Sequence, residues 1–184
     1  MMLAYVYRLM VFLLLIGVTT AVAQERKKKP ESISTEPKLA TATIKMGDGA
    51  TIEINGTITF RLAEVNSDDS LTGHLEYTIA DDSRKEVAKA VGKPVSEIPA
   101  SLAIKNVVIF FERDAKCPDL RINLLSLDRE IALGRMRFNR LDLTIRESQQ
   151  ELSKLLCWYA RPHREKGGVY RKINRILKGE KEEQ

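Results

Sequence analysis

Two stretches of alternation frame the chain. Ile52, Ile54, Ile58, Phe60 and Leu62 fall on even positions, with Thr51, Glu53, Asn55, Thr57, Thr59 and Arg61 between them. Beyond the polar run Asn66-Ser67-Asp68-Asp69-Ser70, the residues Leu71, Gly73, Leu75, Tyr77 and Ile79 alternate on odd positions. Period two with one apolar side is the pattern of a half-buried strand. The two stretches therefore predict an antiparallel hairpin with one buried face. Gly56 interrupts the apolar side of the first, which predicts a bulge or a close backbone contact. Ala40 to Met46 reads as an earlier ordered segment, ended by the turn Gly47-Asp48-Gly49.

The pattern then changes. Val107-Val108-Ile109-Phe110-Phe111 are five apolar residues in a row inside the stretch Ala103 to Arg113. An unbroken run predicts a central strand buried on both faces. Leu120, Ile122 and Leu124 alternate again, and Ile131 to Leu133 is a short apolar piece. Met136 and Phe138 lie on even positions, but Leu141, Leu143 and Ile145 lie on odd ones. The phase switches at Asn139-Arg140, which holds no Gly or Pro, so a bulge within one long strand is expected there.

Helical signals are fewer. Ser83 with Glu86 and Ser148 with Glu151 each match a capping box. The first predicts a short helix over 84–91, stopped by Gly92 and Pro94. The second precedes Leu152, Leu155, Leu156 and Tyr159, spaced as one helix face. Val169, Ile173, Ile176 and Leu177 form a last apolar stripe, opposite Arg171, Lys172, Arg175 and Lys178. Strands dominate the first two thirds and helices the last third. The expected class is α+β: an antiparallel β-sandwich or half-barrel, with a short helix after the second long strand and two C-terminal helices packed on it.

The first residues fall outside this pattern. Arg8, the apolar run Leu9 to Val18 and Ala21-Val22-Ala23 match a signal peptide over 1–23, cleaved before Gln24. The competing reading is an uncleaved membrane tether. Its fifteen largely apolar residues, Leu9 to Ala23, fall short of the roughly 20 that a spanning helix needs, while Arg26-Lys27-Lys28-Lys29 would resist translocation. The expected location is periplasmic or extracellular. Residues 24–39 read as a polar, basic, flexible linker, 40–179 as a single domain and 180–184 as a charged tail. A chain starting at Gln24 carries 29 basic and 25 acidic residues, a net +4 that is mildly basic and short of a nucleic-acid signature.

Export changes the reading of Cys117 and Cys157, the only two cysteines. In an oxidising compartment they are expected to pair. The disulfide would close a loop of about 41 residues, worth roughly 4 kcal/mol in the chain-entropy model. His74 and His163 lack zinc spacing with them. Asp68-Asp69 and Asp81-Asp82 lack a calcium-loop spacing and fit turn and cap chemistry. Asn55-Gly56-Thr57 matches a glycosylation sequon, but in mid-strand. No G-x-S-x-G or Cys-His signature is present, so no catalytic site, metal or cofactor is assigned.

The candidate site is basic. Arg161, Arg164, Arg171, Lys172, Arg175 and Lys178 crowd the C-terminal region, with Trp158, Tyr159 and Tyr170 among them. Arg135, Arg137 and Arg140 form a second cluster, which would merge with the first if the last helix packed beside that strand. Basic helices with aromatic residues suit anionic headgroups, polyanions or acidic protein surfaces. The leading expectation is a non-enzymatic exported module that binds an anionic envelope component or an acidic protein surface, with peripheral membrane contact among the options. The alternative is a carrier of a lipid or other apolar ligand, held by a curved sheet closed by a helix.

Overall fold

The alternation over 51–65 yields the longest strand among the described residues. The computed structural model describes residues 30–112, 115–161 and 166–180. Its strands are β1 (Lys38–Lys45), β2 (Thr51–Val65), β3 (Ser70–Ile79), β4 (Ser101–Phe111), β5 (Asp119–Leu124), β6 (Leu127–Ile131), β7 (Gly134–Phe138) and β8 (Leu141–Arg146). Its helices are α1 (Asp81–Val91), α2 (Glu151–Tyr159) and α3 (Val169–Lys178), and a short 3-10 turn spans Val95–Glu97. The class is α+β. All strand pairs are antiparallel, in the order β6-β7-β1-β2-β3-β4-β5-β8, and the sheet curls into a half-barrel.

The two ends of the curled sheet belong to one hairpin. Asp119 faces Arg146 and Leu124 faces Leu141. In the same register, Leu127 faces Phe138 and Ile131 faces Gly134. The hairpin breaks at Leu125-Ser126 on one arm and at Asn139-Arg140 on the other, at the same level. One half joins β4, and the other half joins β1. The Glu36 N–H also donates to the Thr144 carbonyl at 2.9 Å, drawing β8 toward the segment before β1. The expected bulge at Asn139-Arg140 is therefore a coordinated bend. No residue is inserted, and both arms change their inward phase together, from Leu124 to Leu127 and from Phe138 to Leu143.

Inside the curl, Tyr77 and Phe138 pack edge to face, with ring centroids 5.0 Å apart. The Tyr77 hydroxyl lies between the carbonyls of Ala40 and Ile54, at 3.2 and 2.8 Å. A Cβ at Gly56 would meet the Thr78 carbonyl and the Tyr77 ring, and one at Gly73 would meet the Arg61 carbonyl and the Phe60 ring. The expected close backbone contact at Gly56 is present, and Gly73 repeats it on the next strand.

Several expectations are corrected. On β4, Val107 and Ile109 are buried, but Val108 and Phe110 are 46% and 40% exposed. The curled sheet is a single layer, so an apolar run can have one wet side. Residues 33–39 are not a linker. Ile33 and Thr35 are buried, Thr35 N–H donates to the Phe60 carbonyl, and Leu62 N–H donates to the Ile33 carbonyl. Neither capping box forms. α1 begins at Asp81, and the Ser83 hydroxyl accepts from the Asn55 N–H of β2. α2 begins at Glu151, while the Ser148 hydroxyl accepts from the Gln150 N–H. The C-cap of α1 does fall on Gly92, in the left-handed region at φ 65°. The signal-peptide region 1–23 lies outside the described residues, as do 24–29 of the linker. No helix among the described residues is long and apolar enough to cross a membrane.

Candidate functional site

One end of the half-barrel gathers β2's C-terminus, the β2–β3 loop, the β4–β5 loop and helices α2 and α3. Cys117 and Cys157 are joined, with their Cα atoms 6.0 Å apart, which ties the β4–β5 loop to α2. Leu152, Leu156 and Tyr159 bury the inner face of α2. The Tyr159 hydroxyl donates to the Asn66 carbonyl at 2.7 Å, and its ring lies 6.2 Å from that of Phe111. Lys166 sits 5.1 Å above the Tyr159 ring centre and pairs with Asp69 at 2.7 Å. Burial, and then the hydrogen bonding and charge of the Asp69 carboxylate, push the Tyr159 phenol well above its ordinary pKa.

α3 lies across this end on β2 and α2. Ile173 is fully buried, and Val169, Tyr170, Ile176 and Leu177 pack around it. The Asn174 side chain accepts from the Val65 N–H at 2.8 Å and donates to the Val65 carbonyl at 2.9 Å. These contacts fix the rotation of the helix, so its opposite side is wet. Arg171, Arg175 and Lys178 project there, all exposed. α3 carries no acidic residue. Lys172 pairs with Glu151 of α2 at 2.9 Å. Arg171 bonds through Nε to the Gly167 carbonyl, and among the described residues neither it, Arg175 nor Lys178 has an ion pair. Arg175 and Lys178 occupy the last turn, where the helix dipole favours positive charge.

The other basic residues are dispersed. Arg161 is exposed just past α2, and Arg164 lies outside the described residues. Arg135 is held by Asp128 at 2.7 Å, with Glu130 at 4.0 Å, and the bond to Asp128 raises its pKa. Arg140 bonds Asn123 and lies 3.7 Å from Asp142. Arg137 is exposed, opposite Thr43 on β1 and Asp128 on β6. Thr43 faces Glu53 at the start of β2, whereas α3 is fixed at Val65. About twelve residues of strand, on the order of 40 Å at full extension, separate the two levels. The clusters around Arg135 and Arg171 do not form one patch.

The remaining polar candidates have local partners. Asp68 accepts from the Ser70 hydroxyl and N–H, which lowers its pKa. Asp81 and Asp82 occupy the first turn of α1 and pair with Arg84 and Lys85. His74 is exposed on β3, opposite Arg61. Cys117, Glu147 and Cys157 lie close together, but both sulfurs are spent on the disulfide. A shallow hollow beside the disulfide is lined by Glu112, Lys116, Asp119 and Arg121, charges of both signs.

Asn174 is the contributor that sequence reasoning passed over. Asn174 stands as one uncharged polar residue between Ile173 and Arg175, and the anchoring role was legible only as that oddity. No family model matches the chain, and no curated protein or solved structure matches it either.

Proposed function

We propose that this protein is a non-enzymatic exported domain, a binding or accessory module that holds an anionic partner against the basic face of α3. One observation carries the reading: three exposed cations, Arg171, Arg175 and Lys178, share a helix that has no acid of its own and is pinned to β2 through Asn174. A pinned cationic face attracts anions with little further ordering cost, because the helix is already held in place. The disulfide is compatible with an oxidising compartment.

The carrier alternative draws on the same curled sheet. The interior rings of Tyr77 and Phe138 pack edge to face, and the buried rings of Tyr77 and Phe60 lie close to the backbone at Gly56 and Gly73, which favours the outer surface as the working part. The test is retention on an immobilised polyanion as salt is raised. The wild-type chain is expected to elute at clearly higher salt than a variant carrying Arg171→Glu, Arg175→Glu and Lys178→Glu. Equal elution would overturn the proposal. The salt slope should fall by roughly one per lost contact to a densely charged polymer.

A further inference from the structure

Resting on that reading, we infer that the anionic partner of α3 is a membrane surface of acidic phospholipids, met at the end of the domain where the chain enters the fold. Three placements converge there. The Glu31 carboxylate accepts from the Leu152 N–H in the first turn of α2. The adjacent residue, Glu151, holds Lys172 of α3. Ile33 then pairs with Leu62, a few residues from Val65, where Asn174 fastens α3. The entry point and the basic helix thus share one turn of α2 and one end of β2.

The sequence before this point has the matching chemistry. Arg26-Lys27-Lys28-Lys29 directly precedes Pro30, and the apolar run ends at Ala23. The seven residues from Ala23 to Pro30 reach at most about 25 Å. In the uncleaved form of the chain, the apolar run seated in a bilayer would therefore keep the α2/α3 end beside the headgroups. At that separation the second contact is intramolecular, with an effective concentration in the millimolar range for a short linker. With its apolar side packed on β2 and α2, α3 meets acidic headgroups through its Lys and Arg alone. At roughly fivefold per cation near such a surface, the three cations together favour the docked state by about a hundredfold. An acidic protein would need its own matching geometry, whereas a lipid surface presents charge across the whole exposed face.

The test uses the full chain in lipid nanodiscs, either neutral phosphatidylcholine or phosphatidylcholine with phosphatidylglycerol, and reads acylation of the Lys178 amine by a water-soluble reagent. Modification is expected to be at least fivefold slower in the anionic discs. The protection should vanish in 0.5 M salt and in the Arg171→Glu, Arg175→Glu variant. Equal modification in both discs overturns the inference, as does a chain that elutes apart from the anionic discs. A parallel arm adds soluble heparin to the chain in neutral discs. Protection by heparin without protection by anionic discs would remove the membrane and leave the anionic-partner reading standing. Protection by neither would remove both.

Discussion

Asn174 bonds both backbone polar groups of Val65, accepting from its N–H and donating to its carbonyl. The side chain thus stands in for a neighbouring strand at the last residue of β2, which is almost fully buried. Asn174→Ala would leave a buried donor and acceptor without partners, at a cost of about 1–3 kcal/mol. The loss should show as faster amide exchange at Val65 and along α3, with β3 unaffected. Asn174→Asp keeps the acceptor but loses the donor, and sets a carboxylate against the Val65 carbonyl. It should destabilise at neutral pH and recover in acid, when the carboxyl is protonated. Unchanged exchange in α3 for both variants would refute the anchoring role.

The disulfide restrains the same end. Cys117 and Cys157 are 40 positions apart, so their bond removes much freedom from the unfolded chain. Replacing both by Ser should lower stability by about 2–4 kcal/mol in chemical denaturation. The first contacts to loosen should be those of α2, seen as exposure of the lone Trp158 and loss of the Tyr159–Asn66 bond. Loss of the sheet before α2 would contradict this order.

Much of the sheet was legible because its inward residues alternate over long stretches. Ile54, Ile58, Phe60 and Leu62 on β2, and Leu71, Leu75, Tyr77 and Ile79 on β3, are all buried. The misreadings have physical sources. Ile33 and Thr35 offer only two inward positions, too few to stand out from a polar, proline-containing segment. Ser83 and Ser148 fit a capping box, but a hydroxyl can serve a distant strand as well as its own helix, and the Asn55 N–H shows Ser83 doing so. The run around Val108 and Phe110 implied two covering layers, which a curled single sheet does not supply. For the site, α3's charge was plain from spacing. Its separation from Arg135 depended on which end of β2 each element meets, a long-range fact that no local pattern encodes.

Tyr77 should make the fold sensitive to alkali. Burial pushes its phenol up to about 12, from an ordinary value of about 10. A raised folded-state pKa means that the neutral form is the one the fold favours. That contribution is intact below about pH 10 and is lost as the pH climbs through 12, by roughly 2–3 kcal/mol. Tyr159 shifts in the same direction and adds to the loss. Tyr77→Phe should cost about 1–2 kcal/mol at pH 7, because the hydroxyl no longer reaches Ile54 and Ala40. It should also flatten the decline between pH 10 and 12. Urea denaturation across that range checks both, and an identical alkaline decline in the variant would exclude Tyr77 as the cause.

Gly73 offers a test of how tightly the half-barrel is filled. A Cβ there would run into the Arg61 carbonyl on β2 and the Phe60 ring. A ring can turn, but a carbonyl in the β2–β3 ladder moves only if the strands part. Overpacking of this kind costs typically about 1–3 kcal/mol, and the backbone obstacle places Gly73→Ala at the upper end of that range or beyond. Gly47, in the β1–β2 turn, has nothing near its missing Cβ. Gly47→Ala should stay within about 0.5 kcal/mol of wild type, as open surface positions do. Chemical denaturation of the two variants side by side separates space from composition, since each adds the same methyl group. If Gly73→Ala is as mild as Gly47→Ala, the interior has slack near Phe60, and room for an apolar ligand would be reopened there. If Gly73→Ala is severe, the close approach of β3 to the Arg61 carbonyl is what requires glycine at this position.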